Sequence, residues 1–184
     1  MTGGSSGLLD QRLGQLRDDT SSLAKMVDQT IDKAIEALAA QDSEAAQEVM
    51  AGDDKVNALR YGIKELCLEL ATTQQPAACD LRAIIAVIHV AVEVERMGDY
   101  AAGIAELAVR LASEPLLKPL IDRPRMAEIG RDMIHAGLRA NVDEDAELAM
   151  ETAKRDAEID RRYDQTYREI LTYTLEDPKS IDRA

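Results

Sequence analysis

The chain has 184 residues, a formal net charge of −13, 46% hydrophobic content and only 3% aromatic content, with no Phe and no Trp. This length can bury one sizeable core or two small ones, and the core must be aliphatic, which suits packed helices better than a sandwich or barrel. The acidity argues against a nucleic-acid-binding surface and leaves cations, or a basic protein face, as the natural electrostatic partners.

The opening Met-Thr-Gly-Gly-Ser-Ser-Gly has neither a basic nor an apolar targeting region, and residues 1–7 are expected to form a flexible leader. From about residue 8 to 40, Leu13, Leu16, Leu23, Val27, Ile31, Ala34, Ile35 and Leu38 recur at three- and four-residue steps, which predicts a long amphipathic helix. Asp42 and Ser43 offer an N-cap for a second helix, which carries Val49, Val56, Leu59, Ile63, Leu66 and Leu70 to about Thr73. After the Gln74-Gln75-Pro76 turn, a third helix is expected from near Cys79 to Leu111. A strand competes only over its β-branched run at 84–94, and length with continued helical spacing decides for helix. Pro115, Pro119 and Pro124 mark a linker over 113–124. A fourth helix follows to about Asn141 and a fifth from Asp145 to about Leu175. The longest apolar stretch falls short of the roughly 18 residues that a membrane span needs.

These elements repeat. Asp53-Asp54-Lys55-Val56-Asn57 matches Asp156-Ala157-Glu158-Ile159-Asp160, and each lies eleven residues beyond an N-cap acid, Asp42 or Asp145. The expected architecture is all-α: two tandem pseudo-repeated three-helix bundles, over 8–112 and 125–184, the second lacking its third helix. That missing helix would leave the apolar faces of helices four and five, with Met126, Ile129, Met133, Ile134, Leu138, Ile159, Ile170 and Leu171, open to a second copy in a twofold homodimer.

The chemistry centres on Glu95-Arg96-Met97-Gly98-Asp99, at the end of the apolar run from Leu81. Glu95 falls on the stripe of Ile84, Ile88, Ala91 and Val92, and Asp99 one turn further on, so both acids are expected on a core-facing surface. There they need cations, hydrogen-bond donors or a wet groove. One solution is a metal ion shared with Asp53 and Asn57 of the second helix, as in carboxylate-rich bundles; the other is a structural pair neutralised by Arg or Lys from a facing helix. Asp156 and Asp160 would supply the second repeat's cluster or form a solvated face. Asp80 and Arg82 read as a helix cap and an ion pair, His89 as a satisfied core histidine and His135 as structural. Cys67 and Cys79, outside any CxxC, read as buried or half-buried thiols in a reducing cytoplasm. There is no nucleophile–base constellation and no glycine-rich phosphate loop to suggest an enzyme.

Met26 and Ala34 in helix one, the Asp53 to Asn57 segment, Gln75-Pro76-Ala77-Ala78-Cys79-Asp80-Leu81-Arg82, Glu95 to Asp99, and Asp156 to Asp160 with Tyr163 and Leu175-Glu176-Asp177 together resemble the PhoU family of phosphate-transport regulators. The combination of QPxxxDLR and ERxGD at this spacing is specific, whereas ExxxD or DxxxD alone is common on any acidic helix. The resemblance implies a cytoplasmic, non-enzymatic protein of two three-helix repeats. Such proteins damp the phosphate-starvation response between the ATPase of the high-affinity phosphate ABC transporter and its sensor histidine kinase, and meet the membrane only through those partners. It also implies iron or zinc on the acidic motifs. The departure is the missing sixth helix, which in the family bears a second ERxxD. A carboxylate-bundle metal-storage protein or a metal-dependent enzyme is the rival reading, and an oxygen-only ligand set argues against a redox di-iron centre.

Overall fold

The computed structural model describes residues 3–113, 115–116 and 122–183, and among them the regular elements are helices: α1 Gly3–Ala40, α2 Ser43–Thr73, α3 Ala78–Leu111, α4 Asp122–Val142, α5 Ala146–Lys154, α6 Asp156–Glu176 and a 3₁₀ turn at Pro178–Arg183. None of these helices is long and apolar enough to cross a membrane. Their ends follow from local chemistry. Asp42 Oδ1 accepts from the N–H groups of Glu44 and Ala45, both at 3.0 Å, and Asp145 Oδ1 from that of Leu148 at 2.9 Å, so each acid caps donors that the following helix leaves orphaned.

The two turns that carry these caps have the same build. Gln41 and Glu144 both take φ 53°, and the next residue bonds back across the turn, Asp42 N–H to Ala37 O at 2.9 Å and Asp145 N–H to Ala140 O at 2.8 Å. A left-handed residue that closes one helix immediately before an Asp that opens the next thus occurs once per repeat. The repeats differ after the cap. Helix α2 runs unbroken through Asp53, whereas its counterpart tightens at Arg155, whose N–H bonds Thr152 O at 3.1 Å, so the expected fifth helix is the pair α5 and α6.

The compact units are not the two sequence repeats. One consists of Met1–Ile31 and Ala51–Ala102, the other of Asp32–Met50 and Gly103–Ala184, so packing divides the chain differently from the sequence repeats expected at 8–112 and 125–184. The reason is helix length: α1, α2 and α3 have 38, 31 and 34 residues, and different stretches of one helix serve different cores. The first unit packs Leu16, Leu23 and Val27 against Val56, Ile63, Cys67, Leu70 and Ile84, all at most 1% exposed. The second has an alanine-rich core, with Ala34, Ala37, Ala46, Ala105 and Ala108 buried beside Ile129, Ile134 and Ala140. Small side chains of this kind let helices approach closely.

Several expectations are corrected. The backbone is helical from Gly3, within the expected leader, because a nucleated helix propagates at one hydrogen bond per residue. Helix α4 takes up Asp122 to Pro124, with proline in the first turn where no amide donor is missed; Pro119 and the rest of 117–121 lie outside the described residues. Of the α4 to α6 faces expected to lie open, Ile129 and Ile134 are buried and Met126, Met133, Leu138, Ile159 and Ile170 half-buried, leaving only Leu171 exposed. Their cover within the unit includes stretches of α1, α2 and α3, and Arg131 of α4 pairs with Asp32 of α1. His89 and Cys79 are exposed, against the expectation of a core histidine and a sheltered thiol, and Asp80 sits inside the first turn of α3.

Candidate functional site

In the first unit, α2 presents Asp53, Asn57 and Arg60 at intervals of four and three, one face of a helix, and α3 presents Glu95 and Asp99. The two helices are brought together by the apolar stripe around them, where Cys67 Sγ of α2 meets Ile84 O of α3 at 3.8 Å. Gly98, the glycine of the ERxGD run, lies where α3 meets both other helices: a Cβ built there would stand 3.3 Å from Val56 Cγ1 and 3.4 Å from Val27 Cγ2.

Glu95 is buried, 7% exposed, as its place on the apolar stripe predicts. Asp99, one turn on, is exposed, which corrects the expectation that both acids face the core. The partner of Glu95 is Arg60, whose Nε and Nη2 donate to Glu95 Oε1 at 3.2 and 3.0 Å. Burial pulls the Arg60 pKa down, but the hydrogen bond and charge of Glu95, with Tyr61, outweigh it and raise the pKa overall. The sequence reasoning allowed for a cation from a facing helix without naming it. The available signal was that Arg60 continues the Asp53-Asn57 face by one more turn.

Asp53 is half-buried. Asn57 Nδ2 donates to its Oδ2 at 2.8 Å, while Oδ1 is buried and has no hydrogen-bond partner. Desolvation, then the charges of Asp99, Glu95 and Asp54, raise its pKa, against the lowering by Asn57. The electrostatics therefore unite Asp53, Glu95 and Asp99 as one acidic cluster. Asp156 and Asp160 belong to the other unit and are exposed on α6, where Asp156 lies in the first turn and favours the positive end of the helix dipole.

An orphaned, buried carboxylate oxygen among further carboxylates and an amide oxygen is a donor set that suits an oxygen-preferring cation. As the side chains stand, no three Asp, Glu, His or Cys among the described residues converge closely enough to hold an ion. Glu95 is engaged by Arg60.

Comparisons with known proteins identify the family and the fold. The family model described as "PhoU domain" matches residues 20–108 and 124–183. A protein of Aquifex aeolicus (strain VF5), named "Phosphate-specific transport system accessory protein PhoU homolog", is 39% identical over 176 residues, 96% of this chain and 80% of that protein. The crystal structure of PhoU from Pseudomonas aeruginosa superposes with a TM-score of 0.88 at 32% identity, over 95% of this chain and 84% of that one. That of the phosphate transport system regulatory protein PhoU from Streptococcus pneumoniae gives 0.84 at 28% identity, over 92% and 80%. With both repeats matched in sequence and fold, the chain belongs to the PhoU family.

Proposed function

We propose that this chain is a cytoplasmic, non-enzymatic regulator of phosphate uptake and of the phosphate-starvation response, an adaptor between the ATPase of a phosphate ABC transporter and its sensor histidine kinase. The observation that carries the reading is the family match over both repeats, at 39% identity to a relative named as an accessory protein of phosphate-specific transport. A net charge of −13 supports docking on basic protein faces rather than on nucleic acid. The exposed stripe of Tyr163, Tyr167, Leu171 and Leu175 on α6 supports self-association, which light scattering reads directly. Deleting the gene should leave phosphate-responsive genes switched on in phosphate-rich medium, and restoring it should silence them. Normal repression in the deletion strain, with no paralogue present, would refute the reading.

A metal ion is the second element. Asp53, Asn57, Glu95 and Asp99 would hold an oxygen-preferring ion such as iron, or zinc, which would neutralise the cluster and fasten α2 to α3. The support is the unpartnered Asp53 Oδ1. Asp156 and Asp160 would form only half of a second site, from α6. Binding to the native state raises the melting temperature by mass action, and replacing Glu95 and Asp99 with Ala should abolish that rise. A melt of the unaltered chain that ignores added metal would refute the site.

A further inference from the structure

Helix α3 carries two apolar stripes at three- and four-residue steps. Ile84, Val87, Ala91 and Val94 are buried in the core of the first unit, whereas Leu81, Ile85 and Val92 are exposed and Ile88 between them is half-buried. The contacts of Arg60 with Glu95 and of Cys67 with Ile84 O set α2 antiparallel beside this second stripe. Leu68 of α2, also exposed, widens it into an apolar face roughly 17 Å long, eleven residues at about 1.5 Å each. The border of the face is basic. Arg82, His89 and Arg96 fall at seven-residue intervals along its solvent edge on α3, and Lys64 stands one turn from Leu68 on α2; Arg96 is paired with Glu93 at 2.7 Å. In a chain of net charge −13, such a border selects an acidic occupant.

Helix α6 has the complementary chemistry. Tyr163, Tyr167, Leu171 and Leu175, one every four residues, form an exposed stripe roughly 18 Å long, and the rings of Tyr163 and Tyr167 stack with centroids 6.4 Å apart. Asp156, Asp160 and Asp164 are exposed along the stripe, Asp164 lying 4.0 Å from Arg168. The repeat supplies the register. When Asp53 is matched with Asp156, the positions of Tyr163, Tyr167 and Leu171 correspond to Arg60, Lys64 and Leu68, the edge along which α2 receives α3. We infer that the α6 stripe of a second copy lies on the outer face of α2 and α3, so that α3 is flanked on one side by its own α2 and on the other by α6 of the second copy. This rests on the self-association reading above and names the surfaces that carry it. A single helix-on-groove contact is small against the ~1,200–2,000 Å² of a stable interface. Each chain has one face and one stripe, so two copies that exchange them reciprocally make the contact twice and close a twofold pair.

The test is sedimentation velocity on full chains, with circular dichroism as the check on folding. Arg82→Glu with His89→Glu makes the border on α3 acidic, and Asp160→Lys with Asp164→Lys makes the border on α6 basic. Each altered chain then meets like charge in a second copy of itself, and its self-association should weaken by roughly tenfold or more. An equimolar mixture of the two altered chains sets unlike charges together at both contacts and should recover the affinity of the unaltered chain. If the unaltered chain is a monomer at micromolar concentration, the self-association reading and this inference fall together. If it associates, but either altered chain associates as tightly or the mixture stays as weak as its components, the contact between α3 and α6 is overturned while self-association stands. Should a doubly altered chain fail to fold, Arg82→Glu and Asp160→Lys alone take its place under the same criteria.

Discussion

Replacing Gly98 tests whether three helices meet as closely as the site requires. An added Cβ would stand 3.3 Å from Val56 Cγ1 and 3.4 Å from Val27 Cγ2, a few tenths of an ångström inside the ~3.5–4.0 Å optimum for carbon pairs. Both valines are buried, at 1% and 0% exposure, and are stiff at χ1, so neither yields easily. For Gly98→Ala the helix-propensity gain of about 0.5–1 kcal/mol is set against this crowding, and the net change should lie near zero. Gly98→Val adds two more methyl groups with no space for them and should cost about 1–3 kcal/mol, as overpacked cores do. Gly62 of α2 is the internal control. A Cβ there meets nothing within 4 Å, so Gly62→Ala should stabilise by about 0.5–1 kcal/mol. Urea unfolding followed by circular dichroism, with the denaturant slope checked for constancy, measures all three. A Gly98→Val chain as stable as the unaltered one would show that α1, α2 and α3 do not approach this closely.

Burial pushes the Cys67 thiol up to about 11, whereas Cys79 is exposed. At pH 8 only about one Cys67 in a thousand is thiolate, so a colorimetric thiol reagent should modify one cysteine per native chain and two in denaturant; two rapid modifications in the native state would contradict the buried site. The folded-state pKa of Asp53 lies above its ordinary value of 3.8, so its ionised form opposes folding at neutral pH, and that cost fades as pH falls through the folded-state value. Asp53→Asn, with chelator present, should therefore be more stable than the unaltered chain at pH 7, with the advantage shrinking on acidification; an advantage independent of pH would refute the electrostatic account. Asp42→Ala and Asp145→Ala should each cost about 1 kcal/mol in thermal melts through loss of the N-caps, and unchanged stability in both would show that other groups cap α2 and α5.

Elements governed by neighbours in the chain were legible in the sequence. Helix ends at Thr73 and Leu111 and the caps at Asp42 and Asp145 depend on 3.6-residue periodicity and on which side chains reach orphaned amides. The burial of Glu95 followed from the same periodicity. What depends on a second helix was decided by tertiary structure. The run Ile84 to Val94 is apolar on more than one face, so periodicity could not tell that Ile84 is buried and Ile85 is 46% exposed, nor that Asp99 falls outside the contact when Glu95 falls within it. The choice of Arg60 as partner for Glu95, the tight passage at Gly98, and the division of α1, α2 and α3 between two cores were likewise settled only by packing. A hydrophobic stripe defines a direction to within about a quarter-turn, and the position of the facing helix decides which residues at its edge are covered.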